Sequence, residues 1–344
     1  MMIRIGIICP SEIAFRRFMP ALQNAGDKVQ FAGIAYASPE EWFGDMSKVS
    51  QAAIDEQQNR ERTKAQSFID GYGGKIFNGY QCIIESSEID AIYLPLPPAL
   101  HYKWARMALE NGKHVFVEKP STTRLEDTED LIRIAKENNL ALHENYMFVF
   151  HDQLKALDDV VASGEIGDVR LYRISFGFPR RGRNDFRYIK ALGGGALLDA
   201  GGYTIKYASY LLGGTAKVVF AQVNYLPDFE VEMYGSATMV NDKGVTAQLA
   251  FGMDNDYKCE IEIWGSKGTI ISNRILTAPA SFVPSYTIKK DQFVETRELP
   301  ADDSFLKSIL FFIQCCESIK DRNYSYQVIF KQETLLESFK RLLS

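Results

Sequence analysis

The chain has 344 residues, of which 46% are hydrophobic and 24% are charged, and its formal net charge at pH 7 is −5. A single core rarely grows to this length, so the values favour a globular protein of two domains. Both signs of charge are interspersed, which argues against a nucleic-acid surface. No apolar run is long enough to span a bilayer, so no membrane partner is expected.

The cysteines are spread along the chain without a C-x-x-C or Cys/His metal spacing. This pattern predicts reduced thiols, no metal site and a cytoplasmic location. The five are Cys9, Cys82, Cys259, Cys315 and Cys316. The N-terminal residues are typical of a strand start and not of a signal peptide.

The first half alternates strands and helices. Ile3–Ile8 is predicted as a buried strand, Phe15–Ala25 as a helix closed by Gly26, and Val29–Ala35 as a parallel second strand. The elements that follow are predicted as a polar helical insertion, Trp42–Gln66; strands at Lys75–Phe77, Ala91–Leu94, Val115–Val117 and Ala141–Phe150; and helices Tyr102–Asn111 and Leu125–Asn138. Together they predict a doubly wound parallel sheet.

Two connections of this sheet are ambiguous. The turn after the first strand has small residues, Cys9, Ser11 and Ala14, but no glycine, so a plain turn and a phosphate turn fit equally well. The end of the second strand has no acid to hold a ribose, which argues weakly against NAD. Ser38 could take a 2′-phosphate, although no arginine stands beside it. The charges at Arg60–Lys64 are interpreted as a solvated face.

Lys119 follows the strand Val115–Val117, with Glu118 before it and Pro120 after it. Ligands of an open α/β sheet bind at the carboxyl ends of its strands, so Lys119 is a candidate site residue.

The second half begins with helix Leu154–Ala162 and strand Val169–Phe178. A basic loop with Arg180, Arg181, Arg183 and Arg187 follows. It is interpreted as a solvated loop, with an anion clamp for a phosphorylated or nucleotide-linked sugar as the alternative.

A glycine run then leads into helix Asp199–Leu212, where Asp199 and Tyr203 share one face. The strands predicted after it are Lys217–Tyr225, Tyr234–Val240, Val245–Phe251, Lys258–Trp264 and Thr269–Ser272, with closing helices at Ser304–Ile319 and Val328–Leu343. This large, mostly antiparallel open sheet predicts a homodimer or homotetramer that packs through one sheet face.

Three segments carry a resemblance to a known family. Pro95–Tyr102, Gly112–Pro120 and Gly193–Tyr203, followed by Leu211–Gly213, resemble the glucose–fructose oxidoreductase / inositol dehydrogenase / rhizopine-catabolism (Gfo/Idh/MocA) family. The resemblance implies a Rossmann domain over about 1–123, with the helix and strand to about 148 packing with it, and an α+β substrate and oligomerisation domain over 124–344. It also implies an NAD(P)-dependent oxidoreductase acting on a sugar, cyclitol or related substrate.

The resemblance implies roles for particular residues. Lys119, Tyr203 and Asp199 would be catalytic and would bind substrate, so Glu118-Lys119-Pro120 would form one half of a two-domain site. Arg187, the first candidate of the basic loop for the anion clamp, is predicted from that loop to bind substrate with them. The implied cofactor-binding residues are Cys9, Ser11, Glu12, Ile13, Ala14, Ser38, Leu96, Pro97, His101, Glu118 and Lys119. The family has glycines where Cys9 and Ser11 stand. Tyr203 stands where many members have His, as in a branch that tends towards NADP(H), so NADP is slightly favoured over NAD.

The implied mechanism is reversible hydride transfer, with Tyr203 exchanging the proton and Lys119 favouring its phenolate. Two alternatives stay open. The chain could be a non-catalytic sensor or regulator with the same fold, or a lyase or glycosidase that oxidises its substrate transiently.

Overall fold

The computed structural model describes residues 2–343. The chain divides into two compact units, each made of several segments. Unit 1 consists of 2–122, Glu126–Asn145 and Ser308–Ile329, and unit 2 of Thr123–Leu125, Tyr146–Lys307 and 330–343. The segment Ser308–Ile329 therefore belongs to unit 1, whereas the sequence placed it in the second domain. The continuous domain limits stay a prediction.

Unit 1 is built on a six-stranded sheet whose neighbouring strands are all parallel. Its strands are β1 (Ile3–Ile8), β2 (Val29–Tyr36), β3 (Lys75–Asn78), β4 (Ala91–Leu94), β5 (His114–Glu118) and β6 (Leu142–Asn145). The spatial order β3-β2-β1-β4-β5-β6 is the Rossmann order, with the strand order reversing between β1 and β4. This confirms the predicted fold class for the first half.

The helices of the first half begin with a π-helical segment, Ala14–Phe18, that runs into α1 (Met19–Gln23). They continue with α2 (Pro39–Phe43), α3 (Gln51–Tyr72), α4 (Tyr80–Glu85), α5 (Pro98–Glu110) and α6 (Leu125–Glu137). The buried strand residues are mostly β-branched or aromatic and fill the core between sheet and helices.

Unit 2 contains an eight-stranded sheet with the order β14-β13-β12-β11-β7-β10-β9-β8. Its strands are β7 (Val169–Gly177), β8 (Lys217–Tyr225), β9 (Glu232–Val240), β10 (Thr246–Gly252), β11 (Lys258–Gly265), β12 (Thr269–Asn273), β13 (Ser285–Lys290) and β14 (Phe293–Glu298). Only the β7–β10 pair is parallel among the neighbours of this described sheet. The predicted large, mostly antiparallel sheet is therefore confirmed.

The helices of the second half are α7 (Asp152–Ala162), the π-helical segment Leu197–Gly201 with α8 (Gly202–Leu212), α9 (Ser304–Glu317) and α10 (Ile319–Arg341). Alternate residues of the sheet face α8, such as Ile174 and Leu249. Their neighbours point outward, and there Arg173 donates to Gln248 and Glu262. The outward face is thus partly polar.

The sequence misplaced three features. Ala141–Phe150 is not one strand: β6 ends at Asn145, and Met147–Phe150 is a 3₁₀ turn. The insertion Trp42–Gln66 is not one helix, because Gly44 adopts a φ of 69° and ends α2 before Ser50 caps α3. Strands β13 and β14 were missed, because their charged outward residues obscure a short alternation.

Candidate active site

The turn after β1 has the backbone of a glycine turn without the glycine. Cys9 adopts a φ of 79°, a left-handed conformation that side chains other than glycine rarely adopt. Its N–H donates to the Ala35 carbonyl at 3.0 Å, which fixes the end of β1 against β2. The thiol lies beside Tyr80, and burial followed by the nearby Glu61 raises the pKa of Cys9 to about 11. The thiol is thus a packing group in its protonated form.

Ser11 caps the helix that follows. Its hydroxyl accepts from the Ala14 N–H at 3.2 Å, and its carbonyl accepts from the Phe15 N–H at 3.1 Å. The first turn of a helix directs its remaining N–H groups outward, here at Glu12 and Ile13. The helix then opens into the π-helical segment, a form frequent at functional sites.

Ser38, at the end of β2, is committed to a helix cap. Its hydroxyl accepts from the Glu41 N–H at 3.3 Å and donates to Glu40 at 3.0 Å, while its own N–H donates to the Glu41 carboxylate. This capping box starts α2. A role for Ser38 in binding a 2′-phosphate would compete with these bonds.

His101 joins two loops of unit 1 through both of its ring nitrogens. Nε2 lies 2.8 Å from the Leu96 carbonyl oxygen, and Nδ1 lies 2.8 Å from that of Pro120. Burial lowers the pKa of His101 to about 4, so the neutral ring donates to one of these two carbonyls and only packs against the other. The ring therefore holds the loop after β4, with Leu96 and Pro97, against the residue that follows Lys119. Direct contact of its nitrogens with a cofactor stays a prediction without support from this geometry.

Glu118 and Lys119 stand at the carboxyl end of β5. Glu118 accepts from the Tyr93 hydroxyl at 2.7 Å and from the Asn145 amide at 2.8 Å. Burial raises the pKa of Glu118. Glu118 therefore joins the three neighbouring strands β4, β5 and β6. Lys119 is half-buried and is joined to Pro120 by a cis peptide bond.

The first glycines of the run in unit 2 are needed for their backbone conformation, and the last two for the limited space around them. Gly193 and Gly195 have φ values of 77° and 123°. A Cβ on Gly202 would lie 2.2 Å from the Tyr146 hydroxyl, and one on Gly201 would crowd the Phe251 ring at 3.2 Å. Only glycine lets the chain turn and then lets the π-helical segment and α8 approach these aromatic rings.

Tyr203 lies one residue into α8 and is 8% exposed. Its ring packs edge-on against Tyr146 with centroids 5.2 Å apart, and against Phe176 at the same centroid distance. The phenol is thus held by aromatic packing, which fixes its direction.

Asp199 lies one turn before Tyr203 and is paired with Arg187. The Arg187 Nε donates to Asp199 at 2.6 Å, and its Nη1 donates to Asp185 at 3.1 Å. Burial opposes the charge, but Asp199 and Asp185 raise the pKa of Arg187 above its usual value. The Arg187 carbonyl also accepts from the Gly195 N–H at 2.9 Å. Arg187 therefore orients Asp199 and holds the glycine run, so it is less suited to a phosphate clamp than the sequence suggested.

The other arginines of the basic loop differ in their contacts. Arg180 pairs with Asp254 at 2.5 Å and lies over the Phe229 ring. Arg181 lies over the Phe178 ring, and Arg183 is exposed. The loop thus offers cations next to aromatic faces, a combination that could receive a nucleotide.

Two residues near Tyr203 escaped the sequence analysis. Tyr146 packs against both Tyr203 and Gly202, and the buried Lys206 ammonium lies 5.1 Å from the Tyr146 ring centroid. Lys206 follows Tyr203 by three residues, a helical spacing that could have indicated it. Tyr146 gave no such signal, because tertiary packing alone brings it to this helix.

The residues of unit 1 fit a nicotinamide dinucleotide. The left-handed Cys9 turn and the capped helix start reproduce the backbone that such a cofactor's pyrophosphate requires, although the glycines are missing. The amides at Glu12 and Ile13 and the loop at Leu96 and Pro97 are the groups that would hold it, whereas the Ala14 N–H already donates to Ser11. Within residues 2–343, no cluster of three or more His, Cys, Asp or Glu side chains is placed to bind a metal ion.

Comparison with known proteins decides the family. Residues 3–146 match the model of the oxidoreductase family with an NAD-binding Rossmann fold, and residues 154–271 match the GFO/IDH/MocA C-terminal domain. The chain belongs to the GFO/IDH/MocA family. It is therefore an NAD(P)-dependent oxidoreductase of sugars or related carbonyl and alcohol compounds, as the resemblance implied. A non-catalytic sensor is set aside.

Several relatives in this family are reductases. A dTDP-3,4-didehydro-2,6-dideoxy-alpha-D-glucose 3-reductase of Actinomadura kijaniata is 38% identical over 91% of this chain and 87% of its own. One of the same name from Streptomyces violaceoruber is 36% identical over 91% and 84%. The crystal structure of a 3-ketoreductase from Actinomadura kijaniata with NADP and TDP-benzene has a TM-score of 0.88 at 35% identity, covering 99% and 98% of the two chains.

No helix in the described part, 2–343, has the length and hydropathy needed to cross a membrane.

Proposed function

We propose that this GFO/IDH/MocA protein uses NADPH to reduce the keto group of a nucleotide-linked sugar. The observation that carries the proposal is Tyr203, a phenol fixed by aromatic packing one turn after Asp199. The relatives that are 36–38% identical are named as reductases of a dTDP-linked keto-sugar, which supports the substrate class.

A second observation supports the catalytic roles proposed for Lys119 and Tyr203. Crystal structures of the Actinomadura kijaniata 3-ketoreductase include one with a tyrosine changed to phenylalanine and others with a lysine changed to alanine or glutamate. Those two positions are 84 residues apart in that chain, and so are Lys119 and Tyr203 here. The equal separation supports the same two roles in this chain.

The chain's own residues would divide the proton chemistry. A bound nicotinamide supplies the hydride for the reduction. Tyr203 donates its phenolic proton to the oxygen of the substrate's keto group. A phenol titrates near pH ~10, and an ammonium such as that of Lys119 favours the phenolate that is left. Asp199, oriented by Arg187, accepts hydrogen bonds from substrate hydroxyls.

The basic loop supplies the proposed recognition of the nucleotide. Arg180 lies over the Phe229 ring and Arg181 over the Phe178 ring. Arg183, two residues after Arg181 in the chain, is exposed to solvent. Guanidinium groups bind phosphate oxygens in a bidentate manner, and aromatic rings stack on bases. This replaces Arg187 as the first candidate for the anion clamp.

The test is a two-step experiment on the purified protein. NADPH and NADH are first titrated by fluorescence, and turnover is then measured with dTDP-linked keto-sugars, the same keto-sugars without nucleotide, and simple polyols. We expect turnover to be highest with the dTDP-linked keto-sugars. Equal or better turnover with free sugars or polyols contradicts the nucleotide-linked substrate, and absence of turnover with every carbonyl and alcohol contradicts the reductase.

We further propose a cytoplasmic homodimer or homotetramer that forms through the outward face of the unit 2 sheet. That face exposes Trp264 and Tyr234 beside the ladder of Gln248, Arg173 and Glu262. Light scattering coupled to size exclusion gives the mass. A Trp264→Glu variant is expected to dissociate, while Tyr324→Glu, exposed in unit 1, is expected to leave the mass unchanged.

A further inference from the structure

The adenosine end of a dinucleotide needs partners that the end of β2 does not offer. In a Rossmann sheet an acidic residue after β2 binds the ribose of NAD, or an arginine nearby accommodates the 2′-phosphate of NADP. Here Ser38 is used by its helix cap, and Pro39 has no N–H to donate. Another element must therefore contact this end of the cofactor.

Helix α3 reaches the end of β2. The Gln58 side-chain amide donates to the Ala37 carbonyl at 2.8 Å and to the Gln57 Oε1 at 2.7 Å. Gln57 is only 4% exposed, and among the described residues its Nε2 has no hydrogen-bond partner. A buried donor without an acceptor is costly, so this amide is suited to an oxygen atom of a ligand. It lies beside the strand end where the ribose is expected.

One turn further along α3, two cations are fixed by a single buried acid. Glu61 is 3% exposed and accepts from Arg60 Nε at 3.1 Å and from Lys64 Nζ at 2.8 Å. Arg60 also lies over the Trp42 ring, 5.4 Å from its centroid. The three charges sum to one excess positive charge, and both cations remain about half exposed. The sequence interpretation of this segment as a plain solvated face is therefore wrong for Glu61.

The same helix face also borders the phosphate turn. The Phe15 ring, in the helix that follows this turn, packs edge-on against Phe68 of α3 with centroids 5.1 Å apart. Helix α3, along which Gln57 and Glu61 are buried, thus lies against both the helix start after β1 and the end of β2. These are the two places where a Rossmann sheet holds a pyrophosphate and the adenosine ribose.

We propose that this face of α3 is the adenosine-ribose subsite, with Arg60 and Lys64 binding the 2′-phosphate and Gln57 donating to a ribose oxygen. The protein then selects NADPH over NADH through α3 and not through the end of β2. The inference rests on the proposed use of a nicotinamide cofactor.

The test measures binding without turnover. Dissociation constants of NADPH, NADH, 2′,5′-ADP and 5′-AMP are determined by calorimetry for the wild type, Arg60→Gln and Lys64→Gln. Each single variant keeps one cation on Glu61, so the fold is not left with an unpaired buried acid. We expect each variant to weaken NADPH and 2′,5′-ADP on the order of tenfold, because a charge-assisted hydrogen bond is lost. NADH and 5′-AMP should change by less than about twofold.

The matched control is Arg62→Gln, an exposed arginine on the same helix. It should leave all four constants unchanged. Equal loss of NADPH and NADH affinity in the Arg60 and Lys64 variants, or no loss of either, overturns the inference. A wild type that binds NADH as tightly as NADPH also overturns it while leaving the reductase standing. A wild type that binds neither dinucleotide removes the proposed function itself.

Discussion

The turn after β1 and the glycine run before α8 solve similar problems with different residues. Both lead into a helix that starts with a π-helical segment. The first needs a left-handed backbone, and Cys9 adopts it at φ 79° despite its side chain. The second needs space as well, because a Cβ on Gly202 would clash with the Tyr146 hydroxyl at 2.2 Å and one on Gly201 would crowd the Phe251 ring at 3.2 Å. A residue other than glycine can adopt the strained backbone conformation, whereas no residue with a side chain fits where a neighbouring group already fills the space.

The comparison also separates two kinds of support for a reacting group. In unit 1 the residues beside Lys119 are held by polar bonds: Glu118 accepts from a hydroxyl and an amide, and the neutral His101 ring donates to one of the two carbonyls that it faces. In unit 2 Tyr203 is held mainly by rings. The first kind depends on pH and the second on packing volume, so different perturbations should break them.

The largest effect is expected from removing the reacting groups themselves. Lys119→Ala and Tyr203→Phe should each lower turnover by about 10²–10⁴-fold, the usual contribution of a positioned proton donor or its charge partner. NADPH affinity should change little. Tyr210→Phe is the matched control, because this exposed tyrosine of α8 donates to the Asp158 carboxylate. Steady-state kinetics checks the prediction, and near-wild-type turnover in both site variants would refute it.

The free energy of unfolding that depends on the buried histidines of unit 1 should decrease in acid. The pKa of His101 is lowered to about 4 by burial, against 6.5 in the unfolded chain, and His114 is lowered to about 4 for the same reason. Below pH 6.5 the unfolded state binds more protons, so stability is complete above that pH and is lost as pH falls towards 4. A shift of this size corresponds to roughly 3 kcal/mol for each ring.

Urea unfolding between pH 7.5 and 4 tests this window. His101→Gln should lose stability less steeply with falling pH than the wild type does, since one of the two rings is gone. Parallel curves for the two proteins would contradict the assignment of His101.

The packing support of unit 2 should fail when volume is added. Gly202→Ala places a Cβ 2.2 Å from the Tyr146 hydroxyl, so we expect a loss of about 1–3 kcal/mol and a displaced Tyr203 with reduced turnover. Gly182→Ala is the control, because nothing lies within 4 Å of the added atom. Chemical denaturation of both variants decides the matter. A Gly202→Ala variant as stable as the wild type would contradict the prediction and would mean that α8 can shift to accept the added Cβ.

The smallest effect is expected at Cys9. Cys9→Gly removes the strain of a left-handed residue that has a side chain, but it also raises the conformational entropy of the unfolded chain. The two effects on stability are each about 1 kcal/mol and nearly cancel. Cys9→Val keeps the strain and adds a β-branched side chain, so it should be less stable than Cys9→Gly by roughly 1–2 kcal/mol. Thermal unfolding and NADPH titration measure both effects. A Cys9→Val variant as stable as Cys9→Gly would show that the turn is not held left-handed.

Much of the architecture could be predicted because it is written in local patterns. The strands Ile3–Ile8 and Ala91–Leu94 are confirmed to the residue, since buried β-branched runs bounded by turns leave little choice. The hairpins β9–β10 and β11–β12 follow from their turn residues. The strands β13 and β14 carry too weak an alternation to be recognised in this way.

The sequence alone determined the family, the two sheets and the candidates Lys119, Asp199 and Tyr203, because strand ends and helical spacing are local properties. Tertiary structure alone decided what those residues touch. It committed Ser38 to a cap, paired Arg187 with two carboxylates and brought Tyr146 under Gly202. It also buried Gln57 and Glu61 in a helix whose sequence is mostly polar. The physical reason is that burial and unmet hydrogen bonds depend on neighbours distant in sequence, which no local pattern records.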